Sequence, residues 1–224
     1  MKIKREIIKG NDFEVPCVTF KPSNSRGAVV LVHGYGGLKE ETFGLALHIA
    51  EKGFTVGAID LRGHGEHKLD LDENILLDLE TAISHFKSFG KVTAVGHSLG
   101  GRLSLISSAD YAIGISPALD KTFSPQTRKI LEELRGYRVR KSNWNVFEIL
   151  KDLPSFQFNE DKSLVIYGSR DAPEIMSKCD KLKSEGVQVV QMENALHNDI
   201  FLLGTTFKTV TQKLQEWHLE LLQL

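Results

Sequence analysis

Gly96-His97-Ser98-Leu99-Gly100 constrains this chain more than any other stretch of it. The pentapeptide has the form G-x-S-x-G. It stands between an apolar run, Lys91-Val92-Thr93-Ala94-Val95, and a stretch from Gly101 to Ala109 that reads as a helix. A serine in that setting is expected on a strained strand-to-helix turn. Glycines two before and two after it let the strand and helix backbones approach without a side-chain clash. The turn lifts the hydroxyl above the sheet edge and turns the helix N-terminus toward whatever reacts there.

The surrounding pattern supplies the sheet that such a turn needs. Ile3, Arg5 and Ile7 alternate, Lys9-Gly10-Asn11-Asp12 turns the chain, and Phe13 to Phe20 runs extended, so the opening reads as a hairpin. Ala28-Val29-Val30-Leu31-Val32 is a continuous apolar run, the mark of a strand covered on both faces. Further strands are expected at Phe54 to Ile59, Lys91 to Val95, Tyr111 to Ile115, Leu164 to Tyr167 and Val187 to Met192. Leu71, Ile75, Leu79, Ala82 and Phe86 predict a helix from Leu71 to Phe86. Phe207, Val210, Leu214, Trp217 and Leu221 predict a closing helix. Alternating β and α with apolar strands implies an α/β fold, a mostly parallel sheet flanked by helices. From about residue 117 to 161 no such strand appears. Two or three short helices are expected there, with Gly136 between them, as an insertion over the carboxyl edge of the sheet.

The 224 residues are expected to form a single domain carrying this insertion. A formal net charge of −1 gives no pull toward nucleic acid or an anionic membrane. No stretch has the apolar length of a membrane span. Met1-Lys2-Ile3-Lys4-Arg5-Glu6 is not followed by the apolar core of a signal peptide. Cys17 and Cys179 form neither a disulfide framework nor a Cys-x-x-Cys site, which points to a reducing cytoplasm.

A serine hydroxyl is a weak nucleophile at neutral pH. It needs a base within reach, and the base needs an orienting acid. In this architecture the order is Ser, then Asp or Glu, then His. Asp171 follows the strand ending in Tyr167-Gly168-Ser169-Arg170, and His197 follows Asn194-Ala195-Leu196. The only other histidine after Ser98, His218, falls within the closing helix. Asp161, Asp180 and Asp199 are competing acids in less suitable places: before a strand, within a helix and after the histidine. An oxyanion would need two aimed N–H donors. The N–H of Leu99 is one candidate, and the N–H of Tyr35 in the loop Val32-His33-Gly34-Tyr35-Gly36-Gly37 is the other.

These motifs together resemble the serine hydrolases of the α/β-hydrolase family. The H-G-x-G loop of that family matches His33 to Gly36. Its D-x-R-G-H-G turn matches Asp60-Leu61-Arg62-Gly63-His64-Gly65, and its elbow matches at Ser98. The likeness runs from about Ala28 to the end and is similar to small carboxylesterases, monoacylglycerol lipases, cinnamoyl esterases and serine aminopeptidases with short caps. It implies an acyl hydrolase without a cofactor, acting on a small-molecule ester, with a thioesterase or an aminopeptidase as alternatives. A non-catalytic ligand-binding relative would be expected to lack one of Ser98, Asp171 and His197.

Other features have plainer readings. His64-Gly65-Glu66-His67 lies in a turn and is expected to be structural rather than metal-binding. Asp60 and Arg62 are expected to brace loops. Asp171 also stands where a helix beginning near Ala172-Pro173 would be capped. His97 is expected to point away from the site and pack. Lys121, Arg128, Lys129, Arg135, Arg138, Arg140, Lys141 and Lys151 exceed Glu132, Glu133 and Glu148 across the insertion. This excess reads first as a solvated face and second as attraction of an anion such as a coenzyme A thioester. Phe123, Tyr137, Trp144, Phe147, Phe156 and Phe158 either wall an acyl or aryl pocket or pack the insertion onto the body. Tyr35, Trp144 and Phe147 are the candidate substrate contacts.

Overall fold

The structure is a computed structural model and describes residues 1–141, 145–159 and 161–219. Eight strands form one sheet: β1 (Lys2–Lys9), β2 (Glu14–Lys21), β3 (Ala28–Val32), β4 (Thr55–Ile59), β5 (Val92–His97), β6 (Tyr111–Ile115), β7 (Ser163–Arg170) and β8 (Val189–Leu196). Their order across the sheet is β1-β2-β4-β3-β5-β6-β7-β8. The β1–β2 and β2–β4 pairings are antiparallel and every other pairing is parallel. The expected mostly parallel sheet with an antiparallel N-terminal hairpin is therefore what the chain forms.

Burial on both faces explains the continuous apolar strands. In β3, Ala28, Val30 and Val32 enter one core while Val29 and Leu31 enter the other. Helices α1 (Phe43–Glu51) and α7 (Gly204–Leu219) cover the second core, through Leu45, Ile49, Val210, Leu214 and Trp217. Helix α2 (Leu76–Phe86) and helix α3 (Leu99–Ile106) cover the first, through Leu79, Ile83, Phe86 and Leu103. Between β6 and β7 come α4 (Pro125–Arg135) and α5 (Val146–Asp152), and between β7 and β8 comes α6 (Pro173–Ser184).

Several expected boundaries shift. Leu71 is not helical. Its N–H donates to the Arg140 carbonyl (2.9 Å), and the chain turns helical only after Asp72, whose side chain accepts the Asn74 N–H (2.8 Å). Leu71 keeps its place in the apolar stripe because it is fully buried all the same. The helix after Ser98 starts at Leu99 and ends at Ile106, earlier than expected at both ends. Helix α1 was not anticipated from the periodicity. Leu221 of the closing stripe and Trp144 lie outside the described residues.

Beneath the β3 and β4 ends sits a buried charged platform. Lys39 is fully buried, and its Nζ reaches Asp60 Oδ2 at 2.6 Å and Glu66 Oε2 at 2.8 Å. Asp60 also accepts the N–H groups of Lys39 (2.8 Å) and Glu66 (2.9 Å). Burial pushes the Asp60 carboxyl up, but the bond to Lys39 and these N–H bonds outweigh it and hold it below the usual range. Arg62 pairs with Asp78 (2.9 Å) and Asp72 (2.6 Å). Both motif residues therefore brace loops, as expected. Replacing Lys39 alone would leave Asp60 charged, buried and short of its partner. Lys39→Ala should lower unfolding free energy by about 3–5 kcal/mol, read as a urea midpoint shift. A loss below about 1 kcal/mol would mean that the pair behaves like an exposed one.

Candidate active site

Ser98 stands at the end of β5 with φ +54° and ψ −113°, one of three described non-glycine residues with positive φ. Backbone contact enforces this strain. A side chain on Gly96 would overlap the Gly100 carbonyl, and one on Gly100 would come within 2.5 Å of the Val32 and His33 carbonyl oxygens. The turn is held by the Ser98 N–H on the Ile115 carbonyl (2.9 Å). The Ser98 carbonyl in turn accepts from Arg102 (3.0 Å) and Ala118 (3.1 Å).

The sheet's carboxyl edge brings the three expected side chains together. His197 Nε2 lies 3.1 Å from Ser98 Oγ, and His197 Nδ1 lies 2.8 Å from Asp171 Oδ1. A carboxylate only accepts, so Nδ1 carries the proton and the Nε2 lone pair faces the serine. Asp171 is sheltered, and burial pushes its carboxyl up. Hydrogen bonds from His197, from the Ser116 hydroxyl and from the Ala172 N–H (2.7 Å) outweigh that and hold it below the usual range. Two of the three competing acids are engaged elsewhere. Asp199 accepts the Leu196 N–H (2.8 Å), and Asp180 accepts the Tyr167 hydroxyl.

Two neighbours were missed. Ser116, with φ +47°, directly follows β6 on the same sheet edge and bonds to Asp171. A residue just past a strand's carboxyl end was the available signal. His97 is buried, but it does not point away from the site. Its Nε2–H donates to the His197 carbonyl at 2.7 Å, and its ring packs 4.5 Å from Phe201.

Leu99 opens α3, so its N–H has no acceptor within the helix. In the loop after β3, the Gly37 N–H closes onto the Gly34 carbonyl (3.0 Å) and the Gly36 N–H onto His64 Nε2 (3.0 Å). Neither bond uses the Tyr35 N–H.

A cavity of about 500 Å³ opens from Ser98 and His197. Its walls include Phe123, Ile130, Leu131, Phe147, Leu150 and Ile175, with Tyr35 and Leu99 at the reactive end. The apolar stripe of α4 faces this cavity, which leaves Ile130 and Leu134 half open to solvent. Of the aromatic candidates, Phe123 and Phe147 line the cavity with ring centroids 5.7 Å apart. Phe156 and Phe158 pack against a separate core, and Tyr137 is exposed. Several basic residues of the insertion tie it to the body. Arg138 pairs with Glu41 (2.9 Å), and Arg140 donates to the Gly65 (3.1 Å) and His67 carbonyls.

His64 and His97 are held neutral, each pushed down to about 3 chiefly by burial. In the unfolded chain they would titrate near 6.5. Between those values the unfolded state binds protons that the folded state does not. Their contribution is therefore complete above pH 6.5 and is lost as pH falls toward 3. At pH 5 the loss should be about 2 kcal/mol per histidine relative to pH 7. Urea unfolding at both values measures it, and His97→Asn should flatten the slope. Equal midpoints at pH 7 and pH 5 would contradict this account.

The fold has counterparts among known proteins. The family model described as serine aminopeptidase, S33, matches residues 23–176. A hyperthermophilic esterase from Pyrobaculum calidifontis superposes with a TM-score of 0.69 at 20% identity, covering 98% of this chain and 86% of its own. The thioesterase domain of the curacin biosynthetic pathway superposes with a TM-score of 0.67 at 15% identity, covering 95% of this chain and 100% of its own. By sequence, the chain is 27% identical over 129 residues to ethanol acetyltransferase 1 of Eremothecium cymbalariae, a match covering 53% of this chain. It is 33% identical over 89 residues to protein phosphatase methylesterase 1 of Candida albicans, a match covering 37% of this chain. The chain spans 35% and 25% of the lengths of these two curated relatives.

Proposed function

The chain belongs to the serine aminopeptidase S33 family of α/β-hydrolases, and on that premise we propose that it hydrolyses carboxylic esters through an acyl-enzyme on Ser98. The observation that carries this reading is the unbroken relay Ser98–His197–Asp171 opening into an apolar cavity.

In this reading, His197 Nε2 takes the Ser98 proton as Oγ attacks the ester carbonyl. Asp171 keeps the imidazole in its Nδ1-protonated tautomer and stabilises the imidazolium that forms. The N–H groups of Leu99 and Tyr35 hold the oxyanion, aided by the N-terminal end of α3. His197 then protonates the leaving alkoxide, and the alcohol departs. Water, deprotonated by His197, attacks the acyl-enzyme and releases the acid.

The acyl group occupies the cavity between α4, α5 and α6, so segment 117–161 acts as a cap. Phe147 serves as a wall of that pocket and Tyr35 as part of its reactive end. Trp144, the remaining candidate contact, is outside the described residues. An ester is favoured over an acyl-CoA thioester because Arg138 and Arg140 are committed to Glu41 and to backbone carbonyls. Arg135 and Glu174 also line the cavity, but its walls are mainly apolar, which favours an acyl chain over the charged amino terminus of a peptide. Cys17 and Cys179 are both buried free thiols, which fits a reducing cytoplasm.

Ser98→Ala should lower kcat on p-nitrophenyl butyrate by ~10³-fold or more with an unchanged melting profile. His197→Ala should do the same, and the double variant should cost little more because the two act as a unit. Near-wild-type turnover in either single variant would remove the assignment.

Chain length tests the pocket. From acetate to hexanoate esters, kcat/KM should rise about 3-fold per methylene, within the ~0.8 kcal/mol that a buried CH₂ contributes. Acyl-CoA turnover should stay below ester turnover and vary little with salt. Acyl-CoA turnover above ester turnover, falling steeply with salt, would favour the thioesterase.

A further inference from the structure

The motif Asp60-Leu61-Arg62-Gly63-His64-Gly65 contributes no group to the relay, yet its histidine reaches the loop that carries the second oxyanion donor. Gly34 to Gly37 form a turn closed by the Gly37 N–H on the Gly34 carbonyl (3.0 Å). Tyr35 has negative φ and Gly36 has φ +68°, the pattern of a type II turn, which glycine adopts readily at this position. In such a turn the central peptide, Tyr35 C=O to Gly36 N–H, is free to flip unless something holds it. Here the Gly36 N–H donates to His64 Nε2 at 3.0 Å. The opposite ring nitrogen, Nδ1, lies 2.9 Å from the Arg62 carbonyl, which can only accept. Nδ1 therefore carries the proton, and Nε2 is left as a pure acceptor. A flipped peptide would set the Tyr35 carbonyl against that lone pair.

The rest of the motif fixes the ring itself. Asp60 is held by Lys39 and Arg62 by Asp78, so the chain entering His64 is anchored in buried ion pairs, and after His64 the Glu66 N–H closes back onto Asp60 (2.9 Å). His64 is fully buried, with the His33 ring 4.9 Å away and the Tyr35 ring edge-on at 5.8 Å. His33 acts on the same turn from its other end, with Nδ1–H donating to the Gly34 carbonyl (2.7 Å) and Nε2 accepting the Leu61 N–H (3.2 Å).

We infer that His64 is a positioning residue for ester hydrolysis: its neutral imidazole holds the Tyr35–Gly36 peptide, and through it the loop that aims the Tyr35 N–H at the oxyanion. This rests on the esterase reading above. His64 touches neither substrate nor the reacting atoms. Its effect falls on transition-state stabilisation rather than on filling the acyl pocket, so it belongs to kcat and not to KM.

Two substitutions separate this role from a merely structural one. The amide nitrogen of asparagine falls near the Nδ1 position and can still donate to Arg62. The amide oxygen of glutamine falls near the Nε2 position and can still accept from Gly36. With p-nitrophenyl butyrate, H64N should lose about 10- to 100-fold in kcat, short of the ~10²–10³ expected when an oxyanion donor is removed outright. Its KM should stay within about 3-fold, and H64Q should recover most of the lost kcat. An H64N kcat within about 2-fold of wild type, or equal losses in H64N and H64Q at equal melting temperature, would overturn the inference. A measurement on the unaltered protein stands beside these. Long-range ¹H–¹⁵N correlation of the His64 ring should show the Nδ1–H tautomer at pH 7, and an Nε2–H tautomer would overturn the inference whatever the variants do. A wild-type protein without esterase turnover would remove the esterase reading and this inference with it. An active wild type with an equally active H64N removes only the inference.

Discussion

The contact on which this site depends is between backbones. Helix α3 sits so close to strand β5 and to the end of β3 that Gly96, against Gly100, and Gly100, against the Val32 and His33 carbonyls, have no room for a side chain, and Ser98 is held at φ +54° between them. Strain of this kind costs of order 1–3 kcal/mol and persists only where the surroundings over-determine it. Here they do. The Ser98 N–H is fixed on β6, and its carbonyl is shared between α3 and the start of the β6–β7 segment. The result is a hydroxyl that projects from the sheet edge beside a helix N-terminus.

Around that strained point, the parallel sheet serves as an aligning frame. β6, β7 and β8 end on the same edge as β5, so Ser116, Asp171 and His197 arrive there without long connecting loops. Each side chain is then fixed by a second group. Ser116 and the Ala172 N–H hold Asp171, Asp171 fixes the His197 tautomer, and His97 holds the His197 backbone. On the other side, the buried ion pairs Lys39–Asp60 and Arg62–Asp78 form a stiff platform under the loop after β3. Such pairs are poor sources of net stability. Their value here is geometric, since they fix the loop that reaches the turn at Tyr35 and Gly36.

Much of this was legible in the sequence because it rests on local pattern. The apolar runs at Ala28–Val32 and Tyr111–Ile115 mark doubly covered strands, and glycines flank Ser98 because α3 touches β5 at Gly96 and the end of β3 at Gly100. What the pattern cannot encode is tertiary choice. Leu71 keeps helical spacing with Ile75 and Leu79, yet it pairs with Arg140, because periodicity reports burial and not backbone conformation. His97 looks like a strand residue facing away until β8 brings the His197 carbonyl within 2.7 Å of it. Ser116 is an ordinary serine in sequence and acquires meaning only from Asp171, 55 residues later. Arg138 and Arg140 read as a free positive face because Glu41 and the carbonyls of Gly65 and His67 are far away in sequence.

The central claim is that Ser98, made nucleophilic by His197, carries the acyl group. Stoichiometric reaction with a fluorophosphonate probe, followed by peptide mass mapping, tests it most directly. One probe per chain is expected, attached to the peptide containing Ser98, with labelling suppressed in His197→Ala. An unlabelled protein, or a label on any other residue, would contradict it.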